Sequence, residues 1–238
     1  MSTRQVISAL LAAVMAGALI WTLLRLDTEG PPAARVSEHY LEHGRTETGA
    51  VNIVAAVLLD YRGFDTLGET VVILAAALAV GMLLGQGRLP GSERGLSVLV
   101  RRSIGFLAPL FWLLPAYIVV NGHLSPGGGF QGGVGWATLF ILATVVYGSR
   151  RSVNILPPDL LPKIEYGAAL CFVGIGLYGL IRAGFFLSNQ AAGFPMGQPG
   201  SLFSAGVLPW LNLVIGCKVM AAMAAIFFHL QREENPSP

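Results

Sequence analysis

The stretch Asp60-Tyr-Arg-Gly-Phe-Asp-Thr-Leu-Gly-Glu69 places four ionisable side chains, Asp60, Arg62, Asp65 and Glu69, directly ahead of a long apolar run. Two kinds of chemistry fit this pattern. As local structure, Thr66-x-x-Glu69 reads as a capping box, Asp65 suits a helix N-terminus, Arg62 pairs with a carboxylate and Gly63 makes the turn. As function, a carboxylate such as Glu69 at or below the membrane interface is costly and belongs on an ion or proton path. Local chemistry leaves both readings standing.

The second constellation is the glycine-dense stretch Asn121-Gly-His-Leu-Ser-Pro-Gly-Gly-Gly-Phe-Gln-Gly-Gly133. It lacks the lysine of a phosphate-cradling loop and follows no strand, so phosphate binding is not expected. The steps Gly128/Gly132 and Gly129/Gly133 predict a helix that approaches a neighbour closely. His123 is the one group here that titrates near neutrality. Beside a turn, it reads first as a hydrogen-bonding anchor and second as a proton carrier.

Lys218 stands near the middle of the last apolar run, one to two turns after Asn212. A lysine there costs about 2.5–3.5 kcal/mol on insertion scales and calls for a counter-charge. Glu165 and Arg182 lie towards the ends of the preceding run and read as interfacial anchors. The expected counter-charge of Lys218 therefore lies on another protein of an assembly. His39 and His43 are spaced i, i+4 among Glu38 and Glu42; without a third ligand this reads as a solvated amphipathic face, and no metal is expected. Cys171 and Cys217 sit apart within apolar runs, read as buried thiols, and call for no cofactor.

These groups must be positioned by membrane helices. Of 238 residues, 54% are hydrophobic and 12% charged, against about 25% charged in globular domains, and mean hydropathy is +0.65. That excludes a soluble domain and a disordered chain. A net charge of +2 excludes a nucleic-acid binder. Thirty glycines without a G-x-Y period exclude collagen. The expected class is an all-α integral membrane protein of about six transmembrane helices, with spans near residues 6–24, 68–86, 104–121, 132–148, 166–187 and 208–230. The apolar stretch 51–59 is too short to cross and is expected to lie on the outer face or re-enter. Arg88, Arg94, Arg101 and Arg102 lie between the second and third of these spans, and Arg150, Arg151 and Lys163 between the fourth and fifth; residues 121–131 and 188–207 hold no Lys or Arg. The positive-inside rule then places both termini in the cytoplasm. The chain divides into residues 1–90, with two spans and the acidic motif, and residues 91–238, with four.

At these motifs the sequence resembles small subunits of the Mrp-type cation/proton antiporter module. Residues 60–69 and the helix after them resemble the end of the large A subunit of Mrp antiporters and the E subunit of membrane-bound hydrogenases. From Arg101 onward, Gly122-His-Leu-Ser-Pro-Gly-Gly-Gly-Phe-Gln-Gly-Gly133 and Gly197-Gln-Pro-Gly-Ser-Leu-Phe-Ser-Ala-Gly206, followed by Asn212 and Lys218, resemble the Mrp B subunit and the hydrogenase F subunit. The likeness covers about residues 45–230. Fusion of the two pieces departs from the ordinary antiporter and resembles the modular hydrogenase layout.

The resemblance implies a cytoplasmic (inner) membrane subunit, not an enzyme by itself, that assembles with other Mrp-type or hydrogenase-type subunits and serves the movement of Na+ and H+. It implies roles in translocation for Arg62, Glu69, Pro126 and Phe130, with Asp60, Asp65, His123 and Lys218 completing the expected ion pathway. The alternative readings are a redox-driven complex and a purely structural subunit.

Overall fold

The computed structural model describes residues 10, 13–14, 16–18, 20–21, 24, 32–84 and 96–231. Among these, five helices are long and apolar enough to cross a membrane. The first expected span, 6–24, falls mostly outside the described residues. The described chain divides into two units, residues 1–40 and 41–238; the helix α1, Pro32–Thr48, runs through that division. In the first unit the described residues between 10 and 24 are helical.

The second unit is all-α. After α1 come a short helix α2, Ile53–Ala56, and a π-helical turn, Val57–Tyr61, then the membrane helix α3, Gly63–Leu84. Helices α4, Val98–Val120, and α5, Gly129–Tyr147, are joined by the glycine-rich turn. The short α6, Ser149–Ile155, and a 3-10 turn, Pro158–Leu160, lead into α7, Leu161–Ala183, and a long irregular loop precedes α8, Leu208–Leu230.

Helix α8 is the hub and packs on α3, α4, α5 and α7. Its Gly216, Ala221, Ala222, Ala224 and Ala225 are small, so neighbouring backbones come close, which is how membrane helices associate when lipid is as apolar as a core. Half of its apolar length is buried, against 11% for α3 and α4. Those two helices thus turn most of their surface to lipid or to other chains. Contacts of Thr70 and Gly81 on α3 with Lys218 and His229 on α8 make these helices parallel. Gly129 and Gly133, against Asn212 and Gly216, set α5 parallel to α8 as well.

The loops at 121–128 and 184–207, together with residues 41–62, therefore gather at one end, here called the motif end. The segment 53–61 does not cross. Asn52 before it donates to the carbonyls of Gly122 and Ser125 at 2.8 and 2.9 Å, and Gly63 after it packs on Leu187, all at the motif end. A core cluster built on Ala56, Leu59, Phe172, Leu187, Leu208 and Ile215 holds it there.

Span boundaries differ from those expected wherever a charge stands near a helix start. Helix α3 starts at Gly63 rather than 68, and α7 at Leu161 rather than 166: Thr66 in α3 finds a partner in Leu58 O, and Glu165, in the second turn of α7, faces Lys218. The thiols also differ from expectation. Cys171 is exposed and Cys217 partly so, since apolar residues of a membrane helix face outward as readily as inward.

Candidate functional site

Three polar clusters emerge, the first and third of them joined through α3. The first lies at its N-terminus. Arg62 forms an ion pair with Asp65, both well exposed. Asp60, partly buried in the π-turn, accepts the backbone N–H of Asn189 and lies near Glu47. Burial, more than the charge of Glu47, pushes its carboxyl up to about 6, opposed by the Asn189 hydrogen bond. Tyr61 donates its hydroxyl to Glu47. Residues 60–65 with Phe185, Phe186 and Ser188 wall a cleft of about 540 Å3. The loop behind it is fixed by buried Asn189, which donates to Ala205 O at 3.0 Å and accepts from the Val207 amide at 3.1 Å.

The capping box is not formed. Helix α3 already begins at Gly63, so Thr66 lies in its first turn, buried, and donates at 2.6 Å to Leu58 O. Asp65 does occupy the first turn, as its chemistry suggests. Glu69 follows on the second turn, exposed, and makes no hydrogen bond or ion pair among the described residues.

The second cluster is the glycine-rich turn. A Cβ on Gly129 would lie 2.8 Å from Ile215 Cβ, and one on Gly133 2.7 Å from Gly216 O, so this pair of glycines seats α5 on α8. Gly132 faces α4 instead, against Val119 and Pro115. Gly128 precedes the helix at φ +146, where a side chain is strained. His123 is fully buried; its carbonyl accepts the amides of Val51 and Asn52, and its Nε2 lies 3.4 Å from Ser201 O. Burial pushes its imidazole below the usual range, against the carbonyls of Ser201 and Leu202, so it is neutral at neutral pH. That is the geometry of an anchor. Pro126 is exposed, while Phe130 packs on the core beside Leu58 and Leu59.

The third cluster corrects the expectation for Lys218. Its counter-charge is on the same chain: Nζ lies 3.9 Å from Glu165 Oε1 and donates to the carbonyl of Thr70. Both side chains are almost entirely buried, at 1% and 5%. Glu165 is therefore no interfacial anchor. Starting α7 at Leu161 carries it one turn into the helix and turns it towards α8. Arg182, in the last turn of α7, is exposed. Thr70 directly follows Glu69, so α3 presents a carboxylate outward and, one residue later, a carbonyl inward to Lys218.

Sequence reasoning missed Glu165, Thr70, Glu47 and Asn189. Only Glu165 had a signal, a lone acid leading a long apolar run, the same pattern that singled out Glu69. On α1, Glu38, His39, Glu42 and His43 are exposed, as a solvated face requires.

The fold and these clusters define an all-α, multi-pass membrane protein. Residues 99–225 match the family described as a domain related to the MnhB subunit of Na+/H+ antiporter, and residues 3–96 match the family of the MBH E subunit; the chain belongs to the MnhB-related family of antiporter subunits. An uncharacterized protein of Methanocaldococcus jannaschii is 32% identical over 84% of this chain and 82% of its own. A probable K(+)/H(+) antiporter A/B subunit of Rhizobium meliloti is 30% identical over 90% of this chain, which spans only 24% of that relative's length. A chain of the membrane-bound sulfane sulfur reductase, an archaeal respiratory membrane complex, superposes with TM-score 0.74 at 34% identity, covering 98% of this chain and 100% of that one. A chain of the Mrp complex from Dietzia shares the fold at TM-score 0.68 and 24% identity, with 100% of this chain on 27% of that one.

Proposed function

We propose that the chain is a subunit, without catalytic activity of its own, of a monovalent cation (Na+)/proton antiporter module, contributing both to the ion pathway and to assembly. The carrying observation is Glu69, a carboxylate exposed on a membrane helix with no partner among the described residues, one residue before the carbonyl that holds Lys218. An uncovered charge at that depth is costly, so a neighbouring protein of the complex or a passing cation meets it. Arg62 and Asp65 tune the field at the entrance, and Asp60, whose carboxyl takes a proton near pH 6, buffers it. Pro126 and Phe130 shape the same end, His123 ties its loops together, and Lys218 carries the positive charge of the inner cluster. Residues 1–90 and 91–238 act as two modules of one chain.

End-to-end agreement with a chain of a respiratory membrane complex favours a second form of this reading, in which the module is the membrane arm of a redox-driven complex. Mild solubilisation of the tagged chain separates the two. Large antiporter-like subunits without redox proteins support the stand-alone antiporter, iron–sulfur or nickel subunits support the redox-driven arm, and a chain recovered alone and stable removes both. In the inner membrane both termini are cytoplasmic on this reading. A cysteine at position 2 then reacts with a membrane-impermeant thiol reagent from the cytoplasmic side, and reaction from outside alone reverses the topology.

A further inference from the structure

At the end of the bundle away from the motif loops, α3, α7 and α8 part to leave a cavity of about 450 Å3, with Ala77, Gly81, Glu165, Tyr166, Ala225 and His229 among its walls. With Glu165, Tyr166 and His229 in its wall, a space of this volume is large enough for several waters. Glu165 is the point where it meets the inner cluster: the residue forms part of the wall, yet its Oε1 is buried and receives no hydrogen bond. Lys218 lies behind it, off the wall, 3.9 Å away and hydrogen-bonded to Thr70 instead. A purely structural buried pair would close this gap with a hydrogen bond, since desolvation is offset only by good geometry.

Among the described residues, the titratable groups around Glu165 are few. From α8 they are Lys218 and His229, with Cys217 adjacent to Lys218 in the chain; α3 offers only apolar residues at this level, and α7 itself adds Tyr166. Asp159 and Lys163 are not part of the wall.

Resting on the proposed role in cation/proton exchange and extending it, we propose that Glu165 is a proton-exchange site, loaded from this cavity, that controls the charge pairing of Lys218. A hydronium ion in the cavity gives its proton to the Glu165 carboxylate; one O–H bond breaks, one forms, and water is left. Lys218 keeps its three protons, loses its counter-charge and is held by the Thr70 carbonyl alone. Deprotonation back to the cavity restores the pair. The chain thereby gains a further acid, on α7 beside the cavity away from the motif loops, that the motifs do not contain.

Dicyclohexylcarbodiimide, which modifies protonated carboxyls in apolar surroundings, tests this on the intact complex with peptide mass spectrometry as the readout. Adduct at Glu165 is expected to be about tenfold or more greater at about pH 6 than at about pH 9. Lys218→Met removes the counter-charge and should raise the adduct at the higher pH. No adduct at either pH, or equal adduct at both, overturns the proposal without any variant having to assemble. Cation/proton exchange measured on the same preparations keeps the two readings apart. A wild-type complex that labels as expected but exchanges no cation removes the antiporter function alone, whereas full exchange in an assembled Glu165→Gln complex overturns the role of Glu165.

Discussion

Asn212 accepts the N–H of Gly129 through its Oδ1 at 2.9 Å, so a residue in the first turns of α8 caps α5 from 83 positions away. The approach that permits this leaves no room for a side chain: a Cβ on Gly129 would also press on the backbone carbonyl of Asn212. Gly129→Ala should therefore cost about 1–3 kcal/mol of overpacking, and Asn212→Leu a similar amount for an orphaned buried N–H. Both should lower the yield of assembled complex on native gels, with the isolated chain degraded. Normal assembly of Gly129→Leu would mean that α5 and α8 do not pack in this way.

Glu69→Gln makes the opposite case. The residue is exposed and engages nothing among the described residues, so the substitution should change chain stability by no more than about 0.5 kcal/mol. Complex yield is expected to stay at the wild-type level while cation/proton exchange in inverted vesicles falls by about a hundredfold, the usual scale for losing a proton-transferring group. Unchanged exchange would favour the purely structural role.

The pH dependence of stability has two opposed contributions at the motif end. Asp60 titrates at about 6 in the folded chain against an ordinary value of 3.8, so it favours folding fully below about pH 4, and that contribution is lost as pH rises towards 6. His123 is shifted downward, so its contribution is complete above pH 6.5 and is lost as pH falls through its folded value. Asp60→Asn should thus raise the melting temperature of the complex above pH 6 and leave it unchanged near pH 4. His123→Gln should flatten the loss on the acid side. A melting temperature of Asp60→Asn that parallels wild type at every pH would remove Asp60 from this balance.

The helices were legible because apolar runs of some 20 residues have one economical fate, and the close seat of Gly129 and Gly133 was legible because small residues four apart share a helix face. Their starts were less legible. Treating Glu165 as a boundary set α7 five residues late and sent the counter-charge of Lys218 to another protein, when one helical turn brings it to 3.9 Å. Thr66 misled differently: its spacing from Glu69 satisfies a capping box, but its hydroxyl found the Leu58 carbonyl across the π-turn, a partner that exists only once the chain doubles back. Asn189 and Glu47 carried no signal, because what they hold is supplied by distant loops.

That doubling-back gives the final prediction. Asn52 uses its whole hydrogen-bonding capacity: Oδ1 accepts the amides of Val54 and Ala55 at 3.1 and 3.4 Å, while Nδ2 donates to Gly122 O and Ser125 O. The first pair caps α2; the second ties the segment before α3 to the glycine-rich turn. Asn52→Asp keeps the cap acceptors but turns a carboxylate towards two carbonyls, so it separates the two roles. If the tether matters most, Asp should destabilise the segment at least as much as Ala, by about 1–3 kcal/mol; if the cap does, Asp should match wild type. The tether reading expects amide exchange in residues 53–62 to accelerate in both variants, while exchange in α8 stays slow. Protection of that segment in Asn52→Asp equal to wild type would show that the core contacts of Ala56 and Leu59 hold it without the tether.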